Sequence, residues 1–295
     1  MTLAPAELQA MHAAVLGWYA VNARDLAFRR SADPWSVLLS EVIAQQTQAA
    51  RAATAWTRLI ARFPTPTALA AASPATAIRA WRGLGYNRRA LALREAAIAI
   101  LEEHDGHVPD TFEDLVRLPG IGPYTARAIL AIAFGRDVAA LDTNIRRVVS
   151  RAVAGGVGAI RPTELQALAD ELVPHGRGAA WTHALMDVGA AYCRKGDPRC
   201  EACPLAEQCR YLAAGRPPER SASRPAPKPF ATTSRWLRGR ILDQLRDAPE
   251  ARWVSFGKPI GGHAIEAVQH ALTVLAREQL LELDPARRRA RLKPA

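Results

Sequence analysis

The sequence predicts an all-α fold followed by a small C-terminal module that contains a β-hairpin. Apolar residues recur at helical spacing through most of the first 209 residues, and glycine or proline interrupts the pattern between segments. No convincing alternation of apolar and polar residues, which is the pattern of a half-buried strand, occurs before residue 230. The helices of this first part are expected to be joined by short loops.

The periodic segments place the expected helices in order along the chain. They cover residues 5–22, 34–63, 67–81, 87–103, 111–118, 124–134, 143–153, 163–173 and 179–192. Residues 215–229 contain five prolines among serine and arginine, a composition typical of a stiff linker. We therefore divide the chain into a helical core at 1–212, a linker at 213–232 and a C-terminal module at 233–295.

The C-terminal module is expected to contain two helices, at 235–248 and 263–280, before a β-hairpin. The segments LELD and RARLKP, which a turn separates, would form that hairpin. This order of elements favours a small winged-helix-like module. A partly ordered helical tail is the alternative interpretation.

Length and composition exclude several classes of protein. A chain of 295 residues is long enough for two domains with a sizeable core. It has no run of 18 apolar residues, so a membrane span is not expected, and its N-terminal segment predicts an amphipathic helix instead of a signal peptide. Four cysteines are too few for a disulfide scaffold, which favours a reducing cytoplasm.

The charge of the chain points to a polyanionic partner. The formal net charge is +11, yet the first 209 residues carry 22 basic and 20 acidic residues, so most of the excess lies in the linker and the C-terminal module. A solvated basic surface without a partner is the alternative. Only four of the 39 basic residues are lysines, and all four follow residue 194: Lys195, Lys228, Lys258 and Lys293.

The cysteines form one cluster with the pattern C-x6-C-x2-C-x5-C. They are Cys193, Cys200, Cys203 and Cys209. Four thiolates so close together can surround one metal centre, either zinc or an iron–sulfur cluster. Zinc sites favour two CxxC pairs, and this segment has only one. We expect the centre to hold the fold together, and the arginines and the lysine around the cysteines could also contact phosphate.

A glycine-rich turn at LPGIGPYTA, residues 118–126, is expected to lie between two helices. Gly120 and Gly122 would leave backbone N–H groups exposed beside a helix N-terminus, which suits one DNA phosphate. An ordinary glycine-rich helical turn is the alternative. Asp142 follows Gly122 by twenty residues, in the segment AALDTNIRRVV. An aspartate between an apolar run and a helix is most often an N-cap.

A glutamate inside an apolar helix is the other unusual feature. Glu41 lies in DPWSVLLSEVIAQQTQ, residues 33–48. A buried carboxylate costs several kcal/mol unless it is neutral or paired. Burial therefore raises its pKa, which is what a general acid requires.

These motifs together resemble those of a known enzyme family. The cysteine spacing and the LPGIG hairpin are similar to those of the endonuclease III superfamily, and SEVIAQQTQ (40–48) and WRGLGY (81–86) resemble motifs of its adenine DNA glycosylases. The resemblance covers about residues 10–212. It implies a helix–hairpin–helix fold with a 4Fe–4S cluster loop. It also implies base excision from double-stranded DNA in which adenine is mispaired with 8-oxoguanine or guanine.

The resemblance also assigns catalytic roles. Glu41 would protonate the adenine, and Asp142 would stabilise the oxocarbenium-like sugar, as carboxylates do in retaining glycosidases. Tyr124 and Asn144 would support these two carboxyl groups. Bifunctional members of the superfamily carry a lysine nucleophile where this chain has Tyr124, so hydrolysis without lyase chemistry is expected.

Further residues would contact DNA and the flipped base. Gln46 and Tyr86 would enter the base stack, and Thr47 and Leu84 would lie against the opposing base. The remaining assigned positions are Phe28 and Arg29 in the adenine pocket, Ala44 on the helix of Glu41, and the hairpin residues Gly120, Gly122 and Thr125.

The chain departs from the family pattern at several positions. Ala44 replaces a larger apolar residue, Phe28 replaces tryptophan, and Asn87 replaces the second tyrosine of GLGYY, so the pocket is expected to be reshaped. His183 stands where the family often has Glu or Gln, and it either bonds the base or is an ordinary core histidine. The residues after the linker do not resemble the family's lesion-recognition domain, so the resemblance is to a short form that lacks it.

Two other functions compete with adenine excision. One is that of a sibling enzyme that removes thymine or uracil from mismatches with guanine. The altered pocket residues leave this function as an alternative. The other is a non-catalytic iron–sulfur DNA-binding protein, which would not need both Glu41 and Asp142. For any of these we expect a monomeric, cytoplasmic, nucleoid-associated protein without membrane contact, and the partner of the C-terminal module is left open.

Overall fold

The computed structural model describes residues 3–219 and 229–294. Helices dominate this part of the chain, as the apolar periodicity predicts, and short strands occur only near the C-terminus. The helices are α1 (Pro5–Asn22), α2 (Pro34–Ala44), α3 (Ala49–Arg62), α4 (Pro66–Ala70), α5 (Pro74–Ala80), α6 (Arg88–Glu103), α7 (Phe112–Arg117), α8 (Pro123–Ile132), α9 (Thr143–Ala152), α10 (Pro162–Glu171), α11 (Gly178–Ala191), α12 (Arg210–Ala213), α13 (Ser234–Asp247) and α14 (Ile265–Arg277). The strands are β1 (Val254–Ser255), β2 (Glu282–Asp284) and β3 (Arg289–Arg291).

Two of the expected helices are each divided in the structure. The segment 34–63 forms α2 and α3, because Gln46 adopts a positive φ of 53° that no helix accommodates. The segment 67–81 forms α4 and α5, because Ser73 caps a new helix that begins at Pro74. The single long helices expected at these two places were therefore wrong.

The described residues form two compact units. The first comprises residues 3–41, 110–117 and 121–219. Its core joins α1, α9, α10 and α11 through side chains such as Val15, Val149, Leu168 and Trp181. Three of the cysteines pack against the same core, so the cysteine loop belongs to this unit.

The second unit comprises residues 42–109, 118–120 and 229–294. The C-terminal part of this unit is residues 229–294. Its strands form an antiparallel sheet in the order β1-β3-β2, with α13 before β1 and α14 between β1 and β2. Ala75 and Ile78 of α5 lie in one hydrophobic core with Leu242 and Leu272 of α13 and α14. The backbone N–H of Ala75 also donates to the carbonyl of Lys293 at 3.0 Å.

The helices of residues 3–219 and 229–294 differ from membrane-spanning helices in length and composition. None of them combines sufficient length with sufficient apolar character to cross a bilayer.

Candidate active site

A buried glutamate and a tyrosine form the centre of the site in the first unit. Glu41, near the end of α2, is only 7% exposed, and the hydroxyl of Tyr124 donates to its Oε2 at 2.8 Å. Burial raises the pKa of Glu41 to about 7, the hydrogen bond from Tyr124 lowers it, and the charge of Asp142 raises it further. Burial likewise raises the pKa of Tyr124 well above its ordinary value. Near neutral pH, Glu41 therefore exchanges a proton readily while Tyr124 stays protonated.

Asp142 is the N-cap of α9, and its charge is one of the influences that raise the pKa of Glu41. Its Oδ1 accepts the backbone N–H of Ile145 at 2.6 Å, and its Oδ2 accepts the side-chain amide of Asn144 at 3.2 Å. Burial raises the pKa of Asp142, whereas these N–H donors act in the opposite direction. The N-cap expected from the sequence is therefore present, and the carboxylate is held by α9.

Arg147 fixes Asn144 in turn. Its Nη2 donates to Asn144 Oδ1 at 2.8 Å and to the carbonyl of Gly189 at 2.9 Å. Its Nε also bonds the carbonyl of Cys193. One arginine thus ties the residues around Asp142 to the start of the cysteine loop, a role that the sequence pattern did not reveal.

A second cluster of polar side chains surrounds Arg29, which lies on the short 3-10 helix Ala27–Arg30. Both Arg29 terminal nitrogens bond the buried carboxylate of Asp187 at 2.8 Å, which Arg24 also contacts. The Nε of Arg29 is buried without a hydrogen-bond partner in the described part of the chain. Burial, and then the charge of Arg29, lower the pKa of His183 to about 3. His183 is therefore a neutral imidazole beside a guanidinium that has one donor to spare.

The glycine-rich hairpin connects α7 and α8. Gly120 has a φ of +80°, and a Cβ there would lie 2.9 Å from Ala92 Cβ, so glycine is required on two grounds. Gly122 is the N-cap of α8 with an ordinary φ of −96° and free space around it. The exposed N-terminus of α8 thus follows the turn directly, whereas Thr125 is buried.

Arg89 holds two loops of the second unit together. Its guanidinium donates to the carbonyls of Val42 (2.9 Å) and Ile43 (3.0 Å) at the end of α2, and to that of Leu84 at 3.1 Å. Gln46 is exposed, and Tyr86 is 42% exposed with a positive φ of 43°. No sequence pattern marks Arg89, because most of its hydrogen-bond partners are backbone carbonyls.

The four cysteines line one small cavity, of about 20 Å³. No three His, Cys, Asp or Glu side chains among residues 3–219 and 229–294 are placed to bind a single metal ion. Cysteine thiolates are the ligands that hold iron–sulfur clusters in proteins. Arg151 lies beside the cavity, donating to Cys193 Sγ at 3.6 Å and pairing with Glu219 at 2.7 Å. Four thiol donors around one cavity therefore have the chemistry that an iron–sulfur cluster requires.

The predicted residues divide between the two units. The first holds one set of them: Phe28, Arg29, Glu41, Gly122, Tyr124, Thr125, Asp142, Asn144, His183 and the four cysteines. The second holds Ala44, Gln46, Thr47, Leu84, Tyr86 and Gly120. Leu84 is buried at 5% exposure, so in this conformation its side chain faces the protein.

Comparison with known sequences defines the class of protein. Residues 39–175 match the family described as HhH-GPD superfamily base excision DNA repair protein. An adenine DNA glycosylase of Mycobacterium tuberculosis is 44% identical over 238 residues, which are 79% of this chain and 78% of that protein. The human adenine DNA glycosylase is 38% identical over 217 residues, 70% of this chain and 40% of that protein. The chain belongs to the adenine DNA glycosylase family.

Solved structures share the fold. A thermostable thymine-DNA glycosylase superimposes with a TM-score of 0.67 at 26% identity, covering 71% of this chain and 98% of that one. An endonuclease III–DNA complex gives a TM-score of 0.62 at 22% identity, covering 72% and 99%. The helix–hairpin–helix glycosylase fold expected from the sequence is confirmed. Because the fold is shared with a protein named a thymine-DNA glycosylase, the fold alone does not define the excised base.

Proposed function

We propose that the protein is a monofunctional DNA glycosylase that hydrolyses the N-glycosidic bond of adenine mispaired with 8-oxoguanine or guanine. The observation that carries this proposal is the buried Glu41, with a pKa of about 7, bonded to Tyr124 and facing the charge of Asp142. A general acid works best when its pKa lies near the working pH. The sequence relatives favour adenine over thymine or uracil as the excised base.

In the proposed reaction the carboxyl groups of Glu41 and Asp142 have different roles. Protonated Glu41 donates its proton to a ring nitrogen of adenine, and the C1′–N9 bond breaks as electrons move onto the base. Positive charge then develops on the sugar, where the carboxylate of Asp142 stabilises it directly or through a covalent intermediate. Water completes the hydrolysis at C1′, and Glu41 regains a proton. Tyr124 and Asn144 hold the two carboxyl groups in place by the hydrogen bonds at 2.8 Å and 3.2 Å.

The adenine pocket is assigned to the group around Arg29. Its free Nε can donate to a base nitrogen, and neutral His183 can act as donor or acceptor. Phe28, which belongs to the same unit, completes the pocket in this proposal. Gln46, Thr47, Leu84 and Tyr86 serve the opened base stack, and the backbone N–H groups at Gly120 and Gly122 bind one phosphate.

The lysine distribution supports hydrolysis without strand cleavage. A Schiff base needs a lysine or an amino terminus at C1′, yet the first 194 residues contain no lysine and Tyr124 occupies the position of the family's nucleophile. Borohydride is therefore expected to trap no protein–DNA adduct. A strong adduct that survives Lys195→Ala would contradict this part of the proposal.

The cysteine loop is proposed to hold a 4Fe–4S cluster on Cys193, Cys200, Cys203 and Cys209. The cluster would cross-link the loop to the core of the first unit. Purified protein is expected to contain iron and acid-labile sulfide in equal amounts, and Cys203→Ser to lose both. A zinc content of one without sulfide would refute the cluster. The protein is further proposed to act as a monomer on chromosomal DNA in the cytoplasm.

A single-turnover assay of base release tests the function. The duplexes carry adenine opposite 8-oxoguanine, adenine opposite guanine, thymine opposite guanine, and uracil opposite guanine, each analysed with and without alkali. Strand cleavage only after alkali, and only at adenine, is the expected result. Cleavage at thymine or uracil would assign the protein to the pyrimidine-specific branch. Glu41→Gln is expected to retain duplex binding and lose adenine release, which also separates an enzyme from a non-catalytic DNA-binding protein.

A further inference from the structure

A cleft in the second unit is formed by the loop 83–87 and the first helix of the C-terminal part, α13. Tyr86 of the loop, Trp236 of α13 and Phe230, just before α13, are among the residues that line it. Arg51 of α3 contributes to the same lining. The assigned functions of the site use only Leu84 and Tyr86 from this cleft.

The cleft is strongly basic. Five arginines and one aspartate line it. The aspartate, Asp243, is already paired with Arg240 and with the buried Arg246. A third arginine, Arg238, is paired with Glu278. Arg51 and Arg235 have no carboxylate partner within residues 3–219 and 229–294. A cleft with unpaired guanidinium groups attracts an anion.

The cleft also presents aromatic surface. The Arg235 guanidinium lies 4.2 Å from the centre of the Tyr86 ring, and its Nη1 donates to the Tyr86 hydroxyl at 3.0 Å. Phe230 is 60% exposed. Exposed aromatic rings between unpaired arginines are the means by which proteins hold unstacked nucleotides, because the rings stack on bases and the arginines bind phosphates.

We propose that this cleft binds the DNA strand opposite the target adenine, with Arg51 and Arg235 on its phosphates and Tyr86, held by Arg235, against its bases. The proposal rests on the proposed function, in which Tyr86 enters the base stack. Tyr86 also lines a second cleft together with Gln46, the other residue assigned to the stack. Helix α13 thus extends the surface that begins at these two residues, and the C-terminal part becomes a direct DNA contact.

The test measures duplex affinity of the full chain over a range of salt concentrations, in a Glu41→Gln background that prevents turnover. Arg51→Ala and Arg235→Ala are compared with Arg252→Ala, which removes an exposed arginine of the same unit that does not line the cleft. Each cleft variant is expected to weaken binding about tenfold and to reduce the salt slope by about 1. Arg252→Ala is expected to change neither. Equal behaviour of all three variants would overturn the proposal.

Strand identity is tested with neutral methylphosphonates. Placed around the base opposite adenine, they are expected to remove the difference between the parent protein and Arg235→Ala. Placed on the adenine strand, they are expected to preserve that difference, and the reverse result would overturn the proposal. Failure of the proposed function is recognised separately, because the wild-type protein would then release no adenine whatever the affinity of the variants. Thermal midpoints of Arg51→Ala and Arg235→Ala establish that both variants are folded.

Discussion

At the scale of single residues, the pKa of Glu41 is the result of opposing effects. Burial raises the pKa to about 7, and the hydrogen bond from Tyr124 is the largest influence that lowers it. Tyr124→Phe removes this bond, so the protonated acid should persist to higher pH. We expect the alkaline limb of the single-turnover rate of adenine release to move upward by about one pH unit. A limb that stays in place would show that another group supplies the proton.

The same pKa predicts a pH-dependent cost in stability. Glu41 binds its proton more tightly in the folded state than at its ordinary pKa of 4.5, so stability falls as pH rises from about 4.5 to about 7. Glu41→Gln keeps an acceptor for Tyr124 and has no charge to bury. We expect it to raise the free energy of unfolding by about 3 kcal/mol at pH 8 and little at pH 4.

Chemical denaturation at the two pH values measures this difference in the free energy of unfolding. An equal effect of Glu41→Gln at both values would mean that folding does not raise the pKa of Glu41.

Chemically distinctive residues could be found in the sequence, but their partners could not. Glu41 stands out because a carboxylate is rare in an apolar helix, and Asp142 because it lies between an apolar run and a helix. Asp187 gave no comparable signal, since its bonds to Arg24 and Arg29 join residues about 160 positions apart. Arg147 was missed because its pattern is that of an ordinary helix surface.

At the scale of elements, the hairpin between α7 and α8 allows a matched comparison of two glycines. Gly120→Ala forces a side chain into a positive φ of 80° and against Ala92, so we expect a loss of stability of at least about 1 kcal/mol. Gly122→Ala meets neither obstacle and should leave the thermal midpoint unchanged. Thermal unfolding of both variants checks this, and equal midpoints would remove the structural reason given for Gly120.

Helix breaks explain where prediction of the elements failed. The segment QQTQ has neither glycine nor proline, so periodicity alone continued one helix from 34 to 63. The break at Gln46 is stabilised by Arg89, whose guanidinium replaces helical partners for the carbonyls that end α2. Such a tertiary contact leaves no mark on the local sequence, whereas Ser73-Pro74 is a local signal for a helix start.

At the scale of the whole molecule, side chains decide what the shared fold does. The helix–hairpin–helix fold is also that of a thymine-DNA glycosylase, so the fold alone left the excised base open. The motifs around Glu41 and Tyr86 indicated adenine, and the sequence relatives agree. Asn87, which looked like a simple departure from the family, bonds Arg246 of α13 at 2.6 Å. The asparagine at position 87 therefore accepts a hydrogen bond from the C-terminal part of this chain.

The C-terminal part is expected to unfold together with α5. Ile78 and Leu242 are both fully buried in one core, and Arg246 donates to the carbonyl of Ile78 at 3.0 Å. Leu242→Ala should cost about 2–5 kcal/mol. If this core is one cooperative unit, hydrogen exchange at the amides of Pro74–Ala80 should accelerate along with that of α13 and α14. Faster exchange in α13 and α14 with unchanged protection in α5 would show instead that the C-terminal part folds independently.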